Sequence, residues 1–198
     1  MEFINKSLLA WLGWKMLTNE PLLWVEALRG KYLKNDISFL QASSCPSSSW
    51  IWKGLLKNRE VVEKGACWSI SDGANIHIWD SPWIPSIPRF KPRPNVLLVD
   101  LPDFSVAGLL LPGDRSWNVD LLGDLFYPPT VQNILGIQFP QTRAVDKWVW
   151  APSTCGLFSV KSARDISLSS SSRNSPLSPI DWQTLWGLKI QARLKHLL

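Results

Sequence analysis

The chain has 198 residues, room for one medium domain or two small ones. Hydrophobic residues make up 45% and charged residues 19%, which supports a core and excludes a chain disordered throughout. The net charge of +5 permits contact with nucleic acid or an acidic surface but does not demand it.

Thirteen Trp are spread from Trp11 to Trp186. A core should bury several of them, and any left exposed would mark a partner surface. Cys45, Cys67 and Cys155 are far apart and form no Cys-x-x-Cys pair, so neither a disulfide framework nor a zinc site follows. Reduced, mostly buried thiols in an intracellular protein are expected. No apolar run reaches transmembrane length, so no membrane partner is expected. The apolar stretch after Lys6 is too short for a secretory signal and is broken by Lys15.

Residues 4–18 read as an amphipathic helix capped by Asn5, with Leu8, Leu9, Leu12 and Met16 on neighbouring turns. Asn19-Glu20-Pro21 predicts the cap and first turn of a second helix, ending near Tyr32 and packed on the first as a hairpin. After a loop, Ser47-Ser48-Ser49 offers caps for a third helix from Trp50 to about Lys64, closed by Gly65 at the C′ position.

The most distinctive stretch runs from Gly65 to Pro85. Asp72-Gly73 lies between two β-prone apolar runs, about 66–71 and 75–79, and predicts a hairpin. A two-residue loop would put Trp68, Ile70, His77 and Trp79 on one face; a four-residue loop would change the partners, and both registers stay open. Pro82, Pro85, Pro88, Pro92 and Pro94 then imply an extended, irregular connection. Val96 to Leu101 suggests a short strand. Asn118 should cap a helix through Leu125 and Phe126 that Pro128-Pro129 stops. Thr130 should cap a short helix from Val131 to Leu135, ended by Gly136.

A second hairpin is expected from Lys147-Trp148-Val149-Trp150 and Gly156 to Val160, joined through Pro152-Ser153-Thr154. A helix follows from about Ser159–Ser162 to Ile166, with Ser162 and Asp165 spaced as a capping box. Residues 167–179 are rich in Ser and Pro and read as a flexible linker. Asp181 should cap a last helix from Trp182 to Leu198, whose stripe runs on without a stop signal, as if interrupted.

The fold class expected is therefore α+β, with terminal helices flanking two β-hairpins and long Pro-rich irregular connections. Residues 1–64 form a helical region, 65–166 a Trp-rich hairpin and helix region, 167–180 a linker, and 181–198 the start of a further helix.

Little in the chain suggests catalysis. No glycine-rich phosphate loop occurs, and neither His77 nor His196 lies near a nucleophile-elbow sequence. Asp72 and Asp80 flank one run and could bind a divalent cation, but both also suit turn positions. His77 has no second ligand at metal spacing. No catalytic residue, metal or cofactor is expected. Two basic places suit nucleic acid. Arg89, Lys91 and Arg93 surround Phe90, cations about an aromatic that can track a phosphate backbone and stack a base. Lys189, Arg193 and Lys195 lie on the last helix. A solvated loop and a solvated helix face explain both equally well.

The order Asn5-Lys6-Ser7-Leu8-Leu9-Ala10, Gly13 to Asn19, Leu23-Trp24 and Lys31-Tyr32 resembles the region downstream of the polymerase core in plant LINE-type (non-LTR) retrotransposon reverse transcriptases. Trp52 to Lys57 continues the likeness, as do Gly65, Trp68, Ile70, Asp72, Gly73, Ile76, Ile78, Trp79, Pro82, Trp83, Ile84 and Pro85. Asp146, Trp148 or Trp150, Gly156 to Ala163 and Trp182 to Trp186 are similar to its later signature, with Leu157 inserted before Phe158. Ser71 departs from the family's usual Gly, and Gln191-Ala192 from its usual Pro-Pro.

The resemblance implies a connector. The family's polymerase Tyr/Phe-x-Asp-Asp motif lies upstream and its zinc-binding and RNase H-like domains downstream, all outside this chain. It also implies a non-catalytic role, with RNA or DNA, or the neighbouring polymerase and RNase H-like domains, as partners. A scaffold fragment or degenerate remnant without nucleic-acid affinity is the rival reading.

Overall fold

A computed structural model describes residues 2–34, 37–95, 104–113, 115–140 and 145–170. The expected strand at 96–101, the last helix and most of the linker lie outside these residues. So do Lys189, Arg193 and Lys195. Among the described residues the architecture is mostly helical: seven α-helices and one two-stranded antiparallel sheet.

Helix α1 spans Glu2–Leu17 and α2 Leu23–Tyr32. Asn19 does not cap α2. It takes a left-handed conformation (φ 52°) and closes α1, while the Glu20 N–H reaches back to the Lys15 carbonyl at 3.2 Å. This is the six-to-one bond of a Schellman ending, and Asn tolerates the left-handed position better than most residues. A Lys15–Glu20 ion pair covers the same turn. α2 then starts from Leu22, which offers no side-chain cap.

The expected third helix is two. Helix α3, Trp50–Lys57, is capped by Ser49, whose hydroxyl accepts the Trp52 N–H at 3.3 Å. Asn58 leaves helical geometry (ψ 4°), and its side chain donates to the Gly54 carbonyl. Helix α4, Arg59–Glu63, resumes beyond it. Gly65 is not a left-handed cap, since its φ is not positive. Its lack of a side chain serves close packing instead: a Cβ there would stand 2.3 Å from the Trp150 ring.

Neither expected hairpin forms. Strand β1, Ala66–Ser69, pairs with β2, Lys147–Trp150, in the register Ala66↔Trp150 to Ser69↔Lys147. The Asp72-Gly73 turn is present, with Gly73 at φ 70°, but the run after it does not return to β1. Ile76 and Ile78 instead bond to 104–106, through Val106 N–H to Ile76 and Ile78 N–H to Phe104. β1 has taken β2 as its partner, and the turn itself is held from outside by the carboxylate of Asp146, described below. Of the run expected to return on β2, residues 156–159 form neither strand nor helix, and Val160 opens helix α7, Val160–Ser170, longer than predicted. Ser159, not Ser162, caps it, its hydroxyl accepting the Ser162 N–H.

The Pro-rich segment is not extended throughout. The Phe90 carbonyl accepts both the Trp83 and Ile84 N–H groups, at 2.7 and 2.9 Å, and closes 83–90 into a loop. Helix α5, Val119–Leu125, has the expected Asn118 cap. Helix α6, Pro128–Leu135, begins at the two prolines that were expected to stop α5, with Tyr127 as its cap. Proline lacks an N–H that the first turn leaves unpaired anyway, so both roles suit it.

Two apolar cores result. One gathers Trp14, Trp52, Val62 and Trp150 between α1, α3, α4, β2 and α7. The other gathers Ile70, Ile76, Ile78, Trp83, Leu122 and Phe126. The Gly65–Pro85 stretch therefore works mainly by burial: Ile76, Trp83 and Ile84 are fully enclosed. The buried indoles of Trp83 and Trp150 find partners for their N–H groups, at the Ile78 carbonyl and the Ser162 hydroxyl, both at 2.8 Å, whereas the buried Trp117 N–H has none among the described residues.

Candidate nucleic-acid interface

The sheet sets the site. Trp68 and Trp148 are direct partners across it, with ring centroids 4.1 Å apart and planes tilted by 31°. Both are half-buried. Beside them a cavity of about 520 Å³ opens, walled by the two indoles, by Asn75, His77 and Asp80, and by Lys91. The Trp68 N–H donates to the Pro82 carbonyl at 2.8 Å, which fixes the Pro-rich segment along the edge of β1. The His77 N–H donates to the Ser81 hydroxyl and the Ser81 N–H to the His77 carbonyl, so Asp80 stands on a closed turn at the cavity wall.

A second cavity of about 200 Å³ shares Leu40, Gln41, Pro82 and Lys91 with the first, and carries Arg89 on its wall. Arg89 and Phe90 both have left-handed backbones, at φ 60° and 59°. Two such residues in succession are costly without glycine and persist only where the surroundings impose them. Here the Phe90 carbonyl is held by two N–H groups. Lys91 and Arg93 are exposed on either side of buried Pro92, so they leave the chain on one side.

Of the predicted contacts, Arg89 and Lys91 therefore share one cavity wall, and Arg93 lies two residues further along without lining it. Phe90 is half-buried and is not the ring beside the cavity. That place belongs to Trp68 and Trp148. Both indoles stand in β-prone runs, but their pairing joins residues 80 apart in the chain. Glu60 and Glu63 also face the second cavity. Glu60 is bound to Lys64 at 2.6 Å, which holds its carboxyl below the usual range with a smaller contribution from Arg89, and Glu63 pairs with Arg59.

Asp146 was legible only as part of a pattern. One of its oxygens, Oδ1, accepts the N–H groups of Ser71, Asp72 and Gly73 at 2.7, 3.1 and 3.1 Å. Three successive N–H groups around one carboxylate oxygen make an anion nest filled by the chain itself. Arg115 closes the other side, donating to the Ser71 carbonyl and hydroxyl and to the Pro140 carbonyl.

Asp72 turns its carboxylate onto the Ala74 N–H. Among the described residues no three His, Cys, Asp or Glu side chains gather where they could hold a metal ion. No described helix is long and apolar enough to cross a membrane. The thiols differ from expectation. Only Cys67 is buried, and burial pushes it up to about 12. Cys45 is exposed and drawn down to about 7 by the Ser47 and Ser48 hydroxyls. Cys155, also exposed, is lowered by Ser153.

The chain is similar to an Arabidopsis thaliana protein named “Putative ribonuclease H protein”, 26% identical over 199 aligned positions that take in 98% of this chain. It is also 26% identical over 84 residues, 42% of its length, to an uncharacterized mitochondrial protein of the same plant. It spans about a third of the first relative (32%), and the second match takes in 54% of that protein. No protein-family model matches the chain. No solved structure matches it.

Proposed function

We propose that this chain is a non-catalytic, retroelement-derived segment that binds nucleic acid, akin to the connector of a LINE-type reverse transcriptase. In an intact polyprotein it would help position template RNA or target DNA beside the polymerase. The observation that carries this reading is the similarity along 98% of the chain to a larger plant protein named for ribonuclease H. The cations Arg89 and Lys91 beside paired indoles are chemically consistent with it. On the same reading, residues 181–198 would begin the family's zinc-binding region, and the protein would work inside the cell.

The test is fluorescence anisotropy of labelled single-stranded RNA and duplex DNA, titrated with folded protein at low and moderate salt. Saturable binding that weakens steeply with salt supports the proposal, and the slope counts the phosphates neutralised. A folded sample that binds neither ends it.

A scaffold role is favoured by a different observation. Trp50 is 86% exposed and Leu23 83% exposed, a heavy apolar display for a surface without a partner. In that case Trp50→Ser, and not reversal of Arg89 or Lys91, abolishes capture of a polymerase or RNase H-like neighbour.

A further inference from the structure

Three features compete for further meaning. The exposed Trp50 and Leu23 display an apolar surface, but nothing in the structure shows what covers it. Cys45 is a lone thiol. The cavity beside the Trp68–Trp148 pair carries more, because it combines shape, aromatic surface and a division of polar groups.

We infer that this cavity receives an unpaired nucleotide of a single strand, its base laid against the Trp68–Trp148 pair and its phosphates on Lys91 and Arg89. The inference rests on the nucleic-acid reading above and narrows it from a charged surface to a built site.

The volume, about 520 Å³, lies within the range of about 300–1,000 Å³ typical of small-ligand sites. The aromatic wall is fixed by strand pairing rather than by loose side chains, since Trp68 and Trp148 face each other in register. A base entering there extends a stack already two rings deep. Only an unpaired base can do so, because in a duplex the faces are covered by neighbouring bases.

The polar groups divide by role. Gln41, Asn75 and Asp80 suit a base edge: the carboxylate accepts from exocyclic amino groups, and the amides both donate and accept. Lys91 stands where both cavities meet, and Arg89 on the wall of the second. Lys91 makes no ion pair with any described residue, so its ammonium is available to a phosphate. The acids of the second cavity, Glu60 and Glu63, are already engaged by Lys64 and Arg59. The two-cavity groove thus offers a base seat and, adjoining it, a phosphate rail. The sugar is not discriminated by these groups, so RNA and DNA strands are both admitted and are separate arms of the test.

The experiment compares labelled single-stranded RNA, single-stranded DNA and duplex DNA of equal length by anisotropy. It uses the full chain and the variants Lys91→Glu, Gln41→Ala, Trp148→Ala and Trp148→Phe. Lys161→Glu, an exposed cation outside both cavities, controls for net charge. The single strands should bind about tenfold tighter than duplex, and Trp148→Ala should weaken them about tenfold while Trp148→Phe restores part of the loss. Lys91→Glu should weaken them well beyond Lys161→Glu. Should Trp148→Ala not fold, as judged by circular dichroism, Lys91→Glu and Gln41→Ala decide the matter, both residues being exposed. Equal binding of duplex and single strand, or equal losses for Lys91→Glu and Lys161→Glu, overturns the cavity while leaving nucleic-acid binding standing. No binding of any strand overturns both.

Discussion

The indole of Trp150 lies directly over Gly65, so that the smallest side chain added there would stand 2.3 Å from the ring. The same indole meets Trp14 edge-on at 5.4 Å and Phe158 at 4.5 Å, and its N–H is taken by Ser162. Gly65→Ala must therefore displace a ring anchored on several sides. The expected cost is about 2–3 kcal/mol, as for overpacking of a tight core, read from urea unfolding. Adding Trp150→Leu should make the alanine nearly harmless, because the clash goes with the ring, and the two effects should be strongly non-additive.

Asp146 and the Ser71–Gly73 backbone predict a second outcome. Asp146→Ala leaves three N–H groups without their acceptor, two of them part-buried. A loss of about 2–4 kcal/mol is expected. Asp146→Asn keeps an acceptor but loses its charge, so it should fall between wild type and alanine. Hydrogen exchange of the Ser71 and Gly73 amides should accelerate in both variants, and a loss no larger than that of an ordinary surface substitution would contradict the account.

The cap of α3 is a single hydroxyl on the Trp52 N–H. Ser49→Ala should cost about 1 kcal/mol and Ser49→Asp little or nothing. Ser47→Ala, beside it but bonded only to Cys45, should leave thermal stability unchanged.

The three thiols should separate by reactivity. At pH 7.5 iodoacetamide should modify Cys45 first, Cys155 next and Cys67 only on unfolding, because the thiolate is the nucleophile. Cys67 also gives stability a pH dependence. Its folded value of about 12 lies above the unfolded value of roughly 8.5. Below pH 8.5 both states keep the proton and nothing is lost. Between about 8.5 and 12 the unfolded chain sheds it first, so stability falls by up to about 1.4 kcal/mol per pH unit. Cys67→Ala should remove that slope, whatever it does to stability at pH 7.

Local signals were readable and distant partners were not. The Ser47–Ser49 run, Asn118 and the Asp72-Gly73 turn could each be named from a few neighbouring residues, and Ser49, Asn118 and the turn take those places. The helix expected over 4–18 is present as Glu2–Leu17, but Asn5, read as its cap, lies inside it. Asn19 was misread because Asn serves at both ends of helices, and only the Glu20–Lys15 bond tells which end this one is. Both hairpins failed for one reason. Alternating apolar residues fit any strand of matching face, and Ala66–Ser69 finds a partner about 80 residues on. In the site, Arg89 and Lys91 were visible as a basic run. The aromatic wall was not, since it exists only once Trp68 and Trp148 pair.

Helix α1 is completed only by a helix made much later. Helix α1 lies against α7, and Trp14 stacks on Phe158. During synthesis Trp14 leaves the ribosome long before Phe158 is made, and at usual elongation rates the interval is roughly 10–30 s. For that time the face of α1 that packs on α7 waits without its cover. The segment around α1 is thus a natural client for a nascent-chain chaperone. Release stalled before residue 147 should yield a sticky, protease-sensitive intermediate, and release after residue 170 a closed one.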